Sequence, residues 1–302
     1  MAQTKAESNF SKNWRELVIE NPMAIEINRF RRRFLEGGRG KSVNTMVLVV
    51  AILAYASLLL VIANMSGDFP PVVLIYMQTA LFALISPALM YSAISGEREK
   101  RSWDLLLVAP ITHAQIVVGK FLAALAGITV TFVLFLLPTL FTAITYKGDY
   151  SYGSGSIGTV SGTYALIAEE AISLTFGICV AALTLLFSAR CKRSLMALGV
   201  VLTLNFLALI AFPSLFAMMS NSSSSGEFLF LAHPIFAIMR LDQLSHYRGS
   251  YYSSFDSLDG IWYGLPQTLL YLAFTAVFIV WAVKTVNFAD GEKKFIPRKI
   301  NA

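Results

Sequence analysis

Six long apolar stretches joined by short polar connections dominate this chain of 302 residues. They run approximately over 45–65, 72–94, 117–145, 166–189, 195–219 and 262–284. Each reaches the roughly 20 residues that a helix needs to cross about 30 Å of hydrocarbon. A bilayer offers no water to backbone N–H and C=O groups, so such segments satisfy them internally as α-helices. A β-barrel would show segments of about 10 residues with alternating polarity, whereas Val47–Ile62 is apolar on every face. The expected fold class is therefore all-α, a polytopic membrane protein with six transmembrane helices. Composition agrees. Charged residues make up 14% of the chain, against about 25% in soluble domains. The 56% hydrophobic content excludes intrinsic disorder, and two cysteines exclude a disulfide scaffold.

Lysine and arginine set the orientation. Nine precede the first span, four lie in 95–120, three in 190–194 and five from Lys284 onward. The alternate connections hold none, one and two. The positive-inside rule puts both termini and the 95–120 loop in the cytoplasm. The net charge of +6 follows from topology, and no nucleic-acid partner is read into it. No cleavable leader is expected, because the first apolar run begins only near Met46.

Residues 1–44 form a cytoplasmic segment, 45–285 the six-helix domain and 286–302 a cytoplasmic tail. Within 11–36, Trp14, Leu17 and Val18 share a face, Asn21-Pro22 breaks the run, and Met23, Ile27, Phe30 and Phe34 form a second stripe beside Arg29 and Arg31 to Arg33. A basic amphipathic helix of this kind is expected to lie in the headgroup plane. On the outer side, 146–164 reads as a flexible Gly/Ser/Tyr loop. The apolar stretch 227–245 is too short to span and reads as a re-entrant helix.

The 95–120 loop is the most informative. Its first half, 96–109, reads as an amphipathic helix with Trp103, Leu106 and Leu107 on one face, ended by Pro110. Thr112 and Gln115 have capping-box spacing, and Ile111 and Ile116 the spacing of a hydrophobic staple. The third membrane helix is thus expected to start near His113. A loop that is merely solvated needs neither device, so this one reads as a docking element for another protein.

Other motifs fail in context. Gly40-Lys41-Ser42 resembles the end of a phosphate-binding loop, but Leu35 stands where glycine is required, and no strand precedes it. Gly153–Gly158 matches G-x-G-x-x-G in an external loop with no βαβ frame. His113, His233 and His246 are scattered, so no metal site, triad or cofactor site is expected. Glu169 and Glu170 are read as marking the outer start of the fourth helix, where carboxylates favour the dipole; the competing reading is an ion or substrate site. Pro87 and Pro138 lie inside spans, which is common in membrane helices. Trp262, Tyr263 and Trp281 suit the interfacial aromatic belts.

On the residues Gly96, Glu97, Arg98, Glu99, Leu105–Leu107, Pro110, Thr112, Gly119 and Lys120, the chain resembles the ABC type-2 permeases, the membrane half of ATP-binding-cassette exporters. The motif covers about 25 residues, and the six-span plan with its N-terminal amphipathic helix extends the likeness. Trp103 stands where many relatives carry Thr-Leu-like residues. The resemblance implies that 96–111 is a coupling helix entering a groove on a separate ABC ATPase subunit. Glu97, Arg98 and Glu99 would make the charge-paired contacts, and Trp103, Leu106, Leu107 and Pro110 the apolar docking. It implies no catalytic residue in this chain, a second permease subunit (a homodimer), export, and a multi-pass location in a prokaryotic plasma (inner) membrane. Gln78, Ser86 and Asn205 are candidates for lining a substrate path or for joining helices, the commoner use. Two further readings stay open: an ATPase-independent channel or carrier, and a membrane anchor for a cytoplasmic complex.

Overall fold

A computed structural model describes residues 41–64, 69–103, 112–145, 162–211, 214, 233–246 and 264–291. The expected interfacial helix at 11–36, the 146–161 loop and the tail beyond 291 lie outside these residues. All regular structure among the described residues is helical. The elements are α1 (Lys41–Asn64), α2 (Pro71–Met90), α3 (Ser95–Glu99), α4 (His113–Thr145), α5 (Gly162–Arg190), α6 (Ser194–Phe206), a π-turn (Leu207–Ala211), α7 (Pro234–His246) and α8 (Leu265–Gly291).

Five runs among the described residues are long and apolar enough to cross a membrane: Pro71–Glu99, His113–Thr145, Tyr164–Arg190, Ser194–Ala211 and Leu265–Val286. They match five of the six expected spans. The first expected span coincides with α1, a helix of 24 residues. α4 begins at His113, as its cap predicts, and its 33 residues extend for about 50 Å. It therefore projects beyond the hydrocarbon. The fifth expected span, 195–219, is helical from Ser194 and turns into a π-helix over Leu207–Ala211.

α5 is the centre of the bundle. It packs against α8, α2, α7, α6 and α4, whereas α1 rests mainly on α4, where Tyr55 Oη donates to the Leu134 carbonyl at 2.8 Å. Lipid is as apolar as leucine, so helices in a bilayer associate through close packing and polar contacts rather than through hydrophobic expulsion. α5 supplies what that requires. Its buried surface includes Ser173, Gly177, Ala181, Ala182, Ser188 and Ala189, all small enough to let neighbouring backbones come close. Two apolar clusters form around it. One gathers Ile94, Trp103, Ile116, Val117, Leu185 and Val286. The other, toward the opposite end, gathers Ile75, Ile172, Val180, Ile238, Leu241 and Tyr271. α7, with 13 residues, seats Ile238 and Leu241 in this second cluster.

Phe82 of α2 is fully buried directly over Gly177. A Cβ on Gly177 would lie 2.8 Å from the Phe82 ring, whereas one on Gly199 of α6 meets nothing within 4 Å. We expect Gly177→Ala to lower stability by about 1–3 kcal/mol through overpacking. Gly199→Ala should be neutral or stabilising by up to about 1 kcal/mol through helix propensity. Thermal unfolding of the two variants in detergent checks both; equal melting temperatures would contradict the assignment of Gly177 as a packing point.

Candidate functional site

The end of the bundle that carries the Glu97–Lys120 segment holds most of the residues singled out by the sequence. The expected helix over 96–109 is not continuous. α3 stops at Glu99 and closes with a Schellman arrangement, in which the Ser102 N–H donates to the Glu97 carbonyl at 3.0 Å and the Arg101 N–H to the Arg98 carbonyl at 3.2 Å. Arg101 occupies the left-handed C′ position at φ 55°, a place usually given to glycine. The chain is helical again at Trp103. Amphipathic spacing alone carries no information about this break, which depends on where α3 is held.

α3 is held at three points. Ser188 of α5 accepts the Ile94 and Ser95 N–H groups at 3.0 and 3.1 Å, satisfying donors at the start of α3 that have no intrahelical partner. Arg98 donates from Nη1 to the Ala189 carbonyl at 2.6 Å, at the C-terminal end of α5, where a cation is favoured. Glu99 accepts the Ser194 N–H at 2.7 Å and the Ser194 hydroxyl at 2.8 Å, so its carboxylate caps α6. Neither Ser188 nor Ser194 was legible as a site residue in the sequence, because each is defined by a partner about 95 positions away.

Glu97 completes the arrangement from the other side. Its carboxylate meets Lys120 Nζ of α4 at 2.5 Å, with the lysine side chain 4% exposed. Gly119 and Lys120 thus belong to one unit with Gly96–Glu99, as the motif implies, and the unit joins α2, α3, α4, α5 and α6. Beside it opens a recess of about 490 Å³, lined among others by Tyr91, Gly96, Glu97, Glu99, Lys120 and Ser194.

At the far side of the loop the capping box is present. The Thr112 N–H donates to Gln115 Oε1 at 2.9 Å, and the Gln115 N–H to Thr112 Oγ1 at 3.3 Å. Ile111 of the expected staple lies outside the described residues, as do Leu106, Leu107 and Pro110. Trp103 does not sit on an outward face. It is 4% exposed, inside the cluster with Ile94, Ile116 and Leu185, with the Arg98 guanidinium 5.4 Å from its ring centroid. Its bulk is used within the chain, where a large ring fills the junction of α2, α4 and α5. The charges of Glu97, Arg98 and Glu99 likewise have partners inside the chain.

The expected path residues divide. Gln78 Nε2 donates to Glu170 Oε2 at 2.8 Å, and Asn205 Nδ2 to the Ala83 carbonyl at 2.9 Å, so both join helices. Ser86 is fully buried. Asn205 also lines an apolar groove of about 580 Å³ between α2 and the α6–π segment. Glu169 and Glu170 correct the sequence reading. α5 begins at Gly162, so they lie two turns inside it with no acidic residue in the first turn; the dipole acts only within that turn. Both are buried, at 3% and 5% exposure. Cys179 and Cys191 are free thiols, and partial burial pushes the Cys191 thiol above its ordinary range, so nothing activates it as a nucleophile. No group of three or more His, Cys, Asp or Glu able to hold a metal occurs among the described residues.

The Glu97–Lys120 pair sets a measurable expectation. Removing one partner of a buried pair costs about 3–5 kcal/mol, while replacing both with apolar or neutral groups is often near neutral. Glu97 retains 20% side-chain exposure, so we expect Glu97→Ala to fall near the low end, about 3 kcal/mol. Glu97→Ala combined with Lys120→Met should recover most of the loss. A double-mutant cycle of unfolding in detergent reads this coupling, and purely additive effects would contradict it.

No curated protein matches the chain. A family model for the ABC-2 family transporter proteins does match, over residues 71–283. That span runs from the start of α2 nearly to the end of α8 and includes the clamped segment, the capping box and the central α5. This chain belongs to the ABC-2 family of transporter proteins and is the membrane subunit of an ABC transporter, a membership that implies association with an ATP-binding subunit.

Proposed function

We propose that the chain is an exporter permease that docks a separate ATPase through the 95–120 loop, with a second copy completing the path. In this reading α1 is the sixth span, both termini and the loop face the cytoplasm, and the membrane is a prokaryotic plasma membrane. The positive-inside count supports the orientation. Arg190, stacked 4.3 Å over the Trp281 ring at the Glu97 end of the bundle, suits a headgroup interface at that end.

The observation that carries the proposal is the clamping of the loop at both ends. Ser188, Ala189, Ser194 and Lys120 hold its first half, and the Thr112–Gln115 box holds its second. A free loop would absorb a displacement by bending. A loop tied to α4, α5 and α6 passes it on to three helices at once. ATP binding and hydrolysis in the partner would therefore move the helices that border the path, and this chain needs no catalytic residue of its own.

The roles within the loop are thus divided. Glu97, Arg98, Glu99 and Trp103 mount it. Leu106, Leu107 and Pro110, which the sequence places at its tip, make the apolar contact with the ATPase. Gln78 and Asn205 set helix spacing beside the path, and Ser86 is buried on α2.

Affinity purification of the tagged protein in mild detergent tests this. A P-loop ATPase should co-purify with the natural sequence. Leu106→Asp with Leu107→Asp should cut its recovery by tenfold or more, about 1.4 kcal/mol or greater in binding, without changing the melting temperature of the permease. A folded permease recovered without any ATPase would favour an autonomous channel, carrier or anchor.

A further inference from the structure

The buried polar cluster around Glu170 is not used by the docking reading and lies at the opposite end of the bundle. Glu170 of α5 and Gln78 of α2 face each other, with Gln78 Nε2 donating to Glu170 Oε2 at 2.8 Å and to Ser173 Oγ at 3.3 Å. That uses both hydrogens of the amide. Thr79 Oγ1 lies 2.7 Å from the Ile75 carbonyl and 2.9 Å from Ser173 Oγ. With one hydrogen each, Thr79 donates to Ile75 and Ser173 donates to Thr79. Thr139 also bonds Glu170, but its single hydrogen has the Phe135 carbonyl at 2.9 Å as well.

The cluster is short of hydrogens. Glu170 Oε1 and Gln78 Oε1 are buried acceptors with no donor, on side chains 5% and 0% exposed. An anionic carboxylate in such a place is costly without a cation. Among the described residues, Glu170 bonds Gln78 and Thr139, and neither is a cation. Glu169 is the acidic neighbour on α5, and Asp242 of α7 and Tyr76 of α2 lie near Glu169. α7 also carries Arg240, and α8 brings Tyr271 against Phe176. Lys120 of α4 is on Glu97, and Arg190 is on Trp281, both at the other end. α6 has no titratable residue.

We propose that Glu170 is a proton-binding site between α2 and α5, with Gln78 as its positioning partner. A proton taken from water removes the charge and adds a hydrogen to a cluster whose carboxyl and amide oxygens lack donors. It also needs no extra volume in a cluster already closed at hydrogen-bond distances. Bound, it lets α2 and α5 stay joined; released, it leaves a carboxylate with one strong amide donor in an apolar interior. The contact between these two helices is therefore proton-dependent, whether or not the loop docks an ATPase.

Infrared spectroscopy of the full chain in lipid nanodiscs tests the site through the C=O band of protonated carboxyl groups. At neutral pH the natural protein should show this band, and Glu170→Gln should remove one carboxyl's share of it, while Glu169→Gln leaves the Glu170 share in place. Gln78→Leu removes the hydrogen bond to that carbonyl, so the same share should move to higher frequency without disappearing. This second variant decides the matter even if Glu170→Gln fails to fold. Bands unchanged in Glu170→Gln and unshifted in Gln78→Leu would overturn the proposal. So would a carboxylate-only spectrum that responds to added sodium or potassium, which would make the cluster an alkali-cation site.

Discussion

A helix approached from every side must be built of residues that let its neighbours in, and α5 meets that condition. In lipid there is no gain from hiding apolar surface from water between helices, so what holds them is dispersion at close range and polar contact. The small residues Gly177, Ala181, Ala182 and Ala189 supply the first, and Ser173 and Ser188 the second. α2 and α8 press on this surface along much of its length, and α4, α6 and α7 on parts of it. The outlying helices keep many large apolar side chains exposed, such as Leu53 and Leu60 of α1 or Leu269 and Val277 of α8. Such side chains suit lipid or another protein surface.

The same helix organises the two polar regions. At one end its last turn holds α3 through Ser188 and Ala189, and the Glu97–Lys120 pair ties in α4. At the other end Glu170 holds α2 through Gln78. Both use charge-bearing groups inside the chain, where desolvation raises the penalty for leaving one partner alone. Such arrangements fix helix positions more firmly than apolar contact, because a shift of an ångström or two breaks them. On the docking reading proposed above, firm links between loop and helices are what convert motion at one place into motion at another.

Much of the fold was legible because its determinants are local or compositional. Span length and apolarity are properties of a run of residues. The Thr112–Gln115 box works across three positions, and it set the start of α4 at His113 as expected. The motif residues Gly96–Glu99 and Lys120 were recognised as belonging together, and they do meet. Their contacts within the chain carry no local signal. Exposed charge in a loop reads as available for a partner, yet Arg98 and Glu99 are engaged by Ala189 and Ser194, about 90 positions on. Trp103 shares helical spacing with Leu106 and Leu107, but spacing does not reveal that α3 ends at Glu99, with Arg101 in the left-handed position after it, or that a ring is needed between α2, α4 and α5.

By itself, then, the sequence determined an all-helical membrane chain, where five of its spans lie, how its third membrane helix begins, and the family. These follow from hydrogen-bond satisfaction in hydrocarbon and from capping, both of which act over a few residues. Only the tertiary structure decided which charges are spent inside the molecule. It also decided that Glu169 and Glu170 lie two turns within α5 rather than at its start, and that Gln78 meets one of them. Those outcomes depend on which helix faces come together. Packing in lipid is set by small-residue surfaces and paired polar groups far apart in the chain, for which a single sequence carries no local signal.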